Sequence, residues 1–368
     1  MNAMQRTFGA LLLLCCASAT IAQPAIEGVV RSTDKPAATV ALDRKGVVWT
    51  VPVNAGLRTD FFRLHFTDIV VDGSHDFVLR IRNMAGDVLT EYSGSALATR
   101  GELWTSYLPG RLASVQIVSD TCAGGTVTLK LADIGTRTHR ARALSRQDPA
   151  NPRDLPLRRF ADNAGLFAAA RSVAKVRYKR GNLLLSCTGF LVSNDVLVTN
   201  HHCFHTDQEC STAVAQFGFE EDSNLDRQEG EEFACDKLLD ADEGLDLTLI
   251  RLKGAPGLNW GFLTWESQPA KKDLALFVIQ HPGGDPKRVA SDCAVKTENA
   301  VGNVPDDATD FGHSCDTEDG SSGAPVLNEQ NRVVGLHHLG FTSNDIAWSR
   351  QNRAVAASRV QARIAQQP

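Results

Sequence analysis

Residues 187–203 read CTGFLVSNDVLVTNHHC. An apolar run, Phe190 to Val192, gives way to the polar turn residues Ser193, Asn194 and Asp195, and a second apolar run, Val196 to Thr199, follows. Short β-branched runs bounded by turn residues predict strand, turn, strand. The second strand ends on His201-His202-Cys203, so an imidazole stands at the end of a β-hairpin.

Two more segments complete a chemical pattern. Asp246-Leu-Thr-Leu-Ile-Arg-Leu252 opens an apolar strand with a carboxylate, and Gly320-Ser-Ser-Gly-Ala-Pro325 sets a serine in a glycine-flanked turn ahead of Val326. A serine hydroxyl is a weak nucleophile at neutral pH. It needs a base to take its proton, a carboxylate to orient that base, and backbone N–H donors for the oxyanion. Histidine, aspartate and serine occur here in that order along the chain.

Working outward, short strands such as Leu183 to Leu185 continue the pattern from about Val173 to Leu339, a length that fits two β-barrels. Ala356, Val360 and Ile364 then fall at helical spacing, which predicts a closing amphipathic helix. Towards the N-terminus, from about Thr39 to Ile134, the period is two: Phe77, Leu79 and Ile81, then Val127, Leu129 and Leu131. Turn signals at Asp72-Gly73 and Ala85-Gly86-Asp87 favour an antiparallel β-sandwich. Between the two regions lie Arg137, Arg140, Arg142, Arg146, Arg153, Arg158 and Arg159 beside Pro149, Pro152 and Pro156, a composition that predicts an exposed tether. The expected organisation is 1–22 signal peptide, 23–135 N-terminal sandwich, 136–160 Arg/Pro-rich linker and 161–368 double-barrel domain.

With its three motifs in this order and a cysteine pair around the histidine segment, the chain from about 173 to 366 resembles the chymotrypsin-like serine peptidases. Within them it resembles the bacterial branch of glutamyl and lysyl endopeptidases. The resemblance implies a secreted serine endopeptidase with Ser322 as nucleophile, His202 as base and Asp246 as the orienting carboxylate. It selects His202 over His201 because the family's histidine directly precedes the cysteine. It also implies an oxyanion hole from the N–H groups of Gly320 and Ser322, and a Cys187–Cys203 disulfide. Trypsin-type enzymes carry aspartate just before the nucleophile, where Ser321 stands here, and no hydrophobic activation terminus precedes the domain. Trypsin-style zymogen switching is therefore not expected. For the specificity pocket the resemblance offers two readings. Asp316 falls where trypsin has its pocket carboxylate, while Thr317 and His337 fall where glutamyl endopeptidases receive an acidic side chain. Both cannot hold for one pocket, since a buried aspartate repels an acidic substrate. The arginine-rich linker, as a self-cleavage site, tips the expectation to basic residues, with Asp316 as a structural turn residue left open.

The same residues admit readings from other classes. His201, His202, Cys203, His205 and Cys210 form a metal reading only if their thiols are free, so no metal and no cofactor are expected. The acidic run Glu220, Glu221, Asp222, Asp226, Glu229, Glu231 and Glu232 lacks a regular calcium-ligand spacing and reads as a solvated loop. A catalytically silent binding protein is the main alternative. An esterase is disfavoured because its histidine follows the serine, whereas His202 precedes Ser322.

Bulk properties agree. The 368 residues are 43% apolar, enough for more than one core, and 38 Lys and Arg against 43 Asp and Glu leave a net charge of −5. No basic field recruits nucleic acid or an anionic membrane, so the expected partners are protein or peptide substrates. Arg6, the apolar run Phe8 to Cys16 and the small residues Ala17, Ser18 and Ala19 read as a signal peptide cut after Ala19 or Ala22, with a lipid anchor at Cys15 as a minor alternative. Nothing approaches the roughly 20 apolar residues a membrane helix needs. Seven cysteines then remain, at 122, 187, 203, 210, 235, 293 and 315, in a compartment that permits disulfides. Nearest-neighbour pairing gives 187–203, 210–235 and 293–315 with one odd thiol, though spacing alone does not fix connectivity.

Overall fold

The computed structural model describes residues 23–366 apart from 57–58, 60, 123, 138–143, 146, 148–151, 225, 305–306 and 342–349. The signal segment expected at 1–22 lies outside the described residues. Six strands close the first barrel: Val173–Arg180, Val214–Phe217, Glu231–Asp242, Leu247–Leu252, Val196–Thr199 and Leu183–Leu191, the last pairing back to the first. The two short runs foreseen at Leu183 to Leu185 and Phe190 to Val192 are merged in this last strand, which ends at Leu191. A second set closes in the same way: Arg288–Ala300, Ala275–Gln280, Pro325–Leu327, Val333–Leu339, Asn352–Ala356 and Asp310–His313. All these pairings are antiparallel.

Each barrel fills its interior with its own side chains, Val176, Phe217 and Ile250 in the first and Val278, Val295 and Val326 in the second. A third cluster, with Phe190, Val198, Leu249, Ile279, Leu336 and Val360, packs the barrels together. The closing helix, Ala357–Ile364, buries Val360 in this seam. Its Arg363 reaches across to Asp240 on the first barrel at 2.6 and 2.8 Å. Three disulfides join Cys187 to Cys203, Cys210 to Cys235 and Cys293 to Cys315, and Cys122 is an exposed free thiol.

The N-terminal region is an antiparallel sandwich. Gly46–Asn54, Leu112–Ser119, Phe77–Asn83 and Val88–Ser93 form one sheet, and Phe61–Gly73 and Gly125–Arg137 form the heart of the other. Phe77, Leu79 and Ile81 meet Val127, Leu129 and Leu131 in one core. The second sheet does not stop at the sandwich. The strand Ala25–Ser32 pairs on one edge with Gly125–Arg137 and on the other with Leu183–Ser186 of the first barrel, making one continuous sheet. Glu27 on this strand is buried against Lys175 of the barrel, each side chain 1% exposed. Burial raises the Glu27 carboxyl, but Lys175, Arg177 and Arg137 around it outweigh that and lower it to about 2.

The described residues of the arginine- and proline-rich stretch are held against the second barrel, which its composition does not suggest. Asp154–Pro156 adds a strand to Arg288–Ala290 of the second barrel, with Asp154 buried and joined to Arg288 at 3.0 Å. Leu144–Ser145 pairs with Thr317–Glu318. Arg153 is accommodated because its guanidinium has acceptors to reach, the carbonyls of Asp292 and Ser314.

Glu27→Ala is expected to lower stability by about 3 to 5 kcal/mol, because it strands a buried lysine. Chemical denaturation of the variant checks this. In the parent chain the same carboxylate stabilises above its unfolded value near 4.5, and that contribution fades as pH falls towards 2.

Candidate active site

The candidate residues meet at the seam of the barrels. His202 follows the Val196–Thr199 strand, and the Cys187–Cys203 bridge ties it to the neighbouring strand. Asp246 closes the turn before Leu247–Leu252 with a left-handed backbone, φ +50°, which aspartate tolerates better than most residues with a Cβ. One Asp246 oxygen accepts the His202 backbone N–H at 2.9 Å, and the other accepts the ring Nδ1–H at 2.7 Å. Asn200 fixes the Asp246 carbonyl at 2.8 Å. Burial raises the Asp246 carboxyl, but His202, with His338, holds it far below the carboxylate range. The carboxylate is therefore ionised and fixes His202 with Nδ1 protonated, leaving Nε2 as the basic nitrogen. His201 points its chemistry elsewhere: its ring stacks on His205 at 4.3 Å.

Ser322 sits in the turn between two left-handed glycines, Gly320 at φ +89° and Gly323 at φ +85°. At Gly323 a Cβ would lie 2.0 Å from the Thr188 carbonyl oxygen, so only glycine lets the loop lie against the histidine barrel. Thr188 N–H donates to the Ser322 carbonyl at 2.8 Å, and the Cys203 sulfur lies 4.0 Å from the same oxygen. Ser322 Oγ and His202 Nε2 are both buried and have no hydrogen-bond partner among the described residues. Ser321 Oγ accepts from Glu318 N–H at 3.0 Å, which holds the loop from below without a charge. Gly320 N–H donates to the Gln23 carbonyl at 3.2 Å, so the start of the shared strand rests on one of the two amides expected to form the oxyanion hole.

The pocket residues separate into two environments. Asp316 is fully buried, and its oxygens accept the backbone N–H groups of Gln147 and Arg153 at 2.9 and 2.8 Å, with the Arg153 guanidinium at 3.5 Å. Thr317 Oγ1 accepts from Asn352 Nδ2 at 3.1 Å. His337 joins His313, Nδ1 to Nε2, at 3.2 Å, and His313 Nδ1 accepts the Cys315 N–H at 3.3 Å. Burial, reinforced by neighbouring cationic charge, keeps both histidines neutral, His313 being lowered to about 3 and His337 well below its ordinary value. The proton order follows: His313 accepts at Nδ1, so it donates from Nε2, and His337 accepts at Nδ1 and carries its own proton on Nε2. That Nε2–H is buried with no partner among the described residues.

Cys187, His202 and Cys203 place ligand-type atoms within 4.8 Å of one another, yet both cysteines are consumed in a disulfide and offer no thiolate. The acidic run is spread over separate cations: Glu220 lies against Lys287, Glu221 against Arg158 and Glu232 against Arg177. Two charged residues that sequence reasoning passed over, His338 and Asp310, join the site: His338 Nδ1 lies 3.2 Å from Asp246 and its Nε2 2.7 Å from Asp310.

Two closed six-stranded barrels with the candidate residues at their seam define the chymotrypsin-like class. Residues 187–336 match the family described as the trypsin-like peptidase domain. Among curated proteins, a secreted RxLR effector protein (number 73) of Plasmopara viticola is 31% identical over 194 residues, 48% of this chain and 47% of that one. The uncharacterized protein y4fB of Sinorhizobium fredii is 26% identical over 195 residues, 47% of this chain and 29% of its own. The chain thus matches less than half the length of these relatives. A Glu endopeptidase structure aligns with TM-score 0.41 and 19% identity, over 54% of this chain and 92% of that one.

Replacing Cys187 and Cys203 together by alanine is expected to cost roughly 3 kcal/mol in the chain-entropy account of a loop this size. Denaturant titration of the double variant reads the loss.

Proposed function

We propose that the chain is a secreted serine endopeptidase that cleaves peptide bonds through an acyl-enzyme. The observation that carries this is the two-point grip of Asp246 on His202, which leaves Nε2 uncommitted at the nucleophile loop. In the proposed reaction Ser322 Oγ attacks the peptide carbonyl as His202 Nε2 takes its proton. Negative charge on the carbonyl oxygen is received by the N–H groups of Gly320 and Ser322. His202 then protonates the leaving amine, and a water activated by the same nitrogen releases the acyl group. A substrate carbonyl competes with Gln23 for Gly320 N–H, so productive binding includes displacement of that short segment.

For the residue on the acyl side of the cut bond, the side-chain chemistry supports an acidic preference rather than the basic one that the linker's arginines favoured. Asp316 already spends both oxygens on backbone amides and an arginine, so it offers little to a cationic side chain. His337 instead holds out a proton on Nε2, relayed through His313, and a carboxylate is the acceptor that such a donor suits. An incoming carboxylate would also raise the His337 proton affinity and gain a cation beside it.

Ser322→Ala and His202→Ala should each lower kcat/KM on a protein substrate by several orders of magnitude while the fold is kept, and His201→Ala should leave most activity. Labelling of Ser322 by a fluorophosphonate reads the same assignment: an unlabelled, folded, processed chain would favour a silent binding protein. With a mixed peptide library, cleavage after Glu or Asp is expected to dominate and to be lost in His337→Leu. Dominant cleavage after Lys or Arg, removed by Asp316→Ser, would overturn the acidic reading.

A further inference from the structure

His337 and His338 are neighbours on the Val333–Leu339 strand, and successive side chains on a strand face opposite ways. His337 looks into the second barrel towards His313, whereas His338 looks out to the seam. The ladder slips at this point: His337 pairs with Ala354 and Leu339 with Arg353, leaving His338 between them as the extra residue of a bulge. Bulges re-aim a side chain, and this one delivers an imidazole to the back of Asp246.

We propose that His338, wedged between Asp246 and Asp310, is a positioning residue of the hydrolytic site that grips Asp246 from the second barrel and places a positive charge behind it. The inference rests on the endopeptidase reading of His202 and Asp246. Carboxylates only accept hydrogen bonds, and His338 meets one at each nitrogen, 3.2 Å to Asp246 and 2.7 Å to Asp310, so both of its nitrogens carry protons. The side chain is 1% exposed, and Asp310 is itself anchored by Thr309 Oγ1 at 2.8 Å. Burial lowers the proton affinity of His338, but Asp310 and then Asp246 outweigh it and raise the group to about 10. His313 and His337, the other titratable groups on this side, are neutral, and Arg353 adds positive charge near His313. His202 faces Asp246 from the first barrel.

Asp246 is thus an anion shared by two imidazoles. The His338 cation takes a share of the Asp246 charge, and removing it would leave that charge to His202 alone. A histidine that merely filled space would not touch this balance.

Nitrogen NMR of histidine-labelled protein tests the proposal without requiring turnover. In the parent chain both His338 nitrogens should remain protonated from pH 5 to pH 9. In His338→Gln, which keeps an N–H but removes the charge, the titration midpoint of His202 should rise by roughly one unit. In an active enzyme the acid limb of kcat/KM should move up with it. A neutral His338 at pH 7 in the parent chain, or an unmoved His202 midpoint in folded His338→Gln, overturns the proposal. The parent measurement decides alone if the variant does not fold. A chain that titrates as expected but hydrolyses nothing would sink the endopeptidase reading and leave the positioning of Asp246 by His338 standing.

Discussion

At the seam of the two barrels one carboxylate accepts N–H groups from both sides, and the site takes its form from that sharing. Asp246 is almost wholly removed from water, 2% exposed, so its charge must be met by protein donors. His202 supplies two from the first barrel and His338 one from the second. Its left-handed backbone, a conformation that natural chains keep where surrounding structure insists on it, turns the side chain into this position. Behind it the apolar seam and the closing helix, clamped by Arg363 to Asp240, hold the barrels at the separation that these three bonds need.

Two consecutive histidines illustrate how completely surroundings decide chemistry. His337 is fully buried beside another imidazole, loses its charge to burial, and becomes a directed hydrogen-bond donor. His338, equally buried, lies between two carboxylates and is a cation. A third residue makes the same point in the opposite sense: Asp316, an apparent receptor for positive charge, is quenched by two backbone amides of the segment that precedes the barrels. Residue type suggests a repertoire, and the neighbours choose from it.

Much of this was legible from the chain. The three motifs and their order led to His202, Asp246 and Ser322, and period-two burial picked out Phe77, Leu79 and Ile81 as core. Three things were not legible, each for a non-local reason. The strand Ala25–Ser32 escaped because a register shift between Ile26 and Gly28 breaks its alternation and because one of its buried positions is the charged Glu27. His338 escaped because its carboxylates are 92 and 28 residues away, and nothing in the local sequence marks a bulge. The anchoring of Arg153 escaped because composition reports solvation and not the acceptors waiting on another barrel.

The shared strand has an evolutionary corollary. Leu183–Ser186 pairs with Val196–Thr199 nowhere along its length, since that contact is confined to Phe190 and Leu191, and the Ala25–Ser32 strand fills the gap. The sandwich is therefore a donor of backbone hydrogen bonds to the barrel that carries the histidine, in the manner of a chaperone whose strand never leaves. Losing it would uncover an open β-edge on the strand next to the one that leads to His202, a template on which a second molecule could add itself. Selection on such a chain acts on the two parts as one inheritance: a change that loosens Glu27 or its strand would uncover the edge of the barrel that carries His202, and a sandwich shuffled onto another protein would arrive without its partner edge.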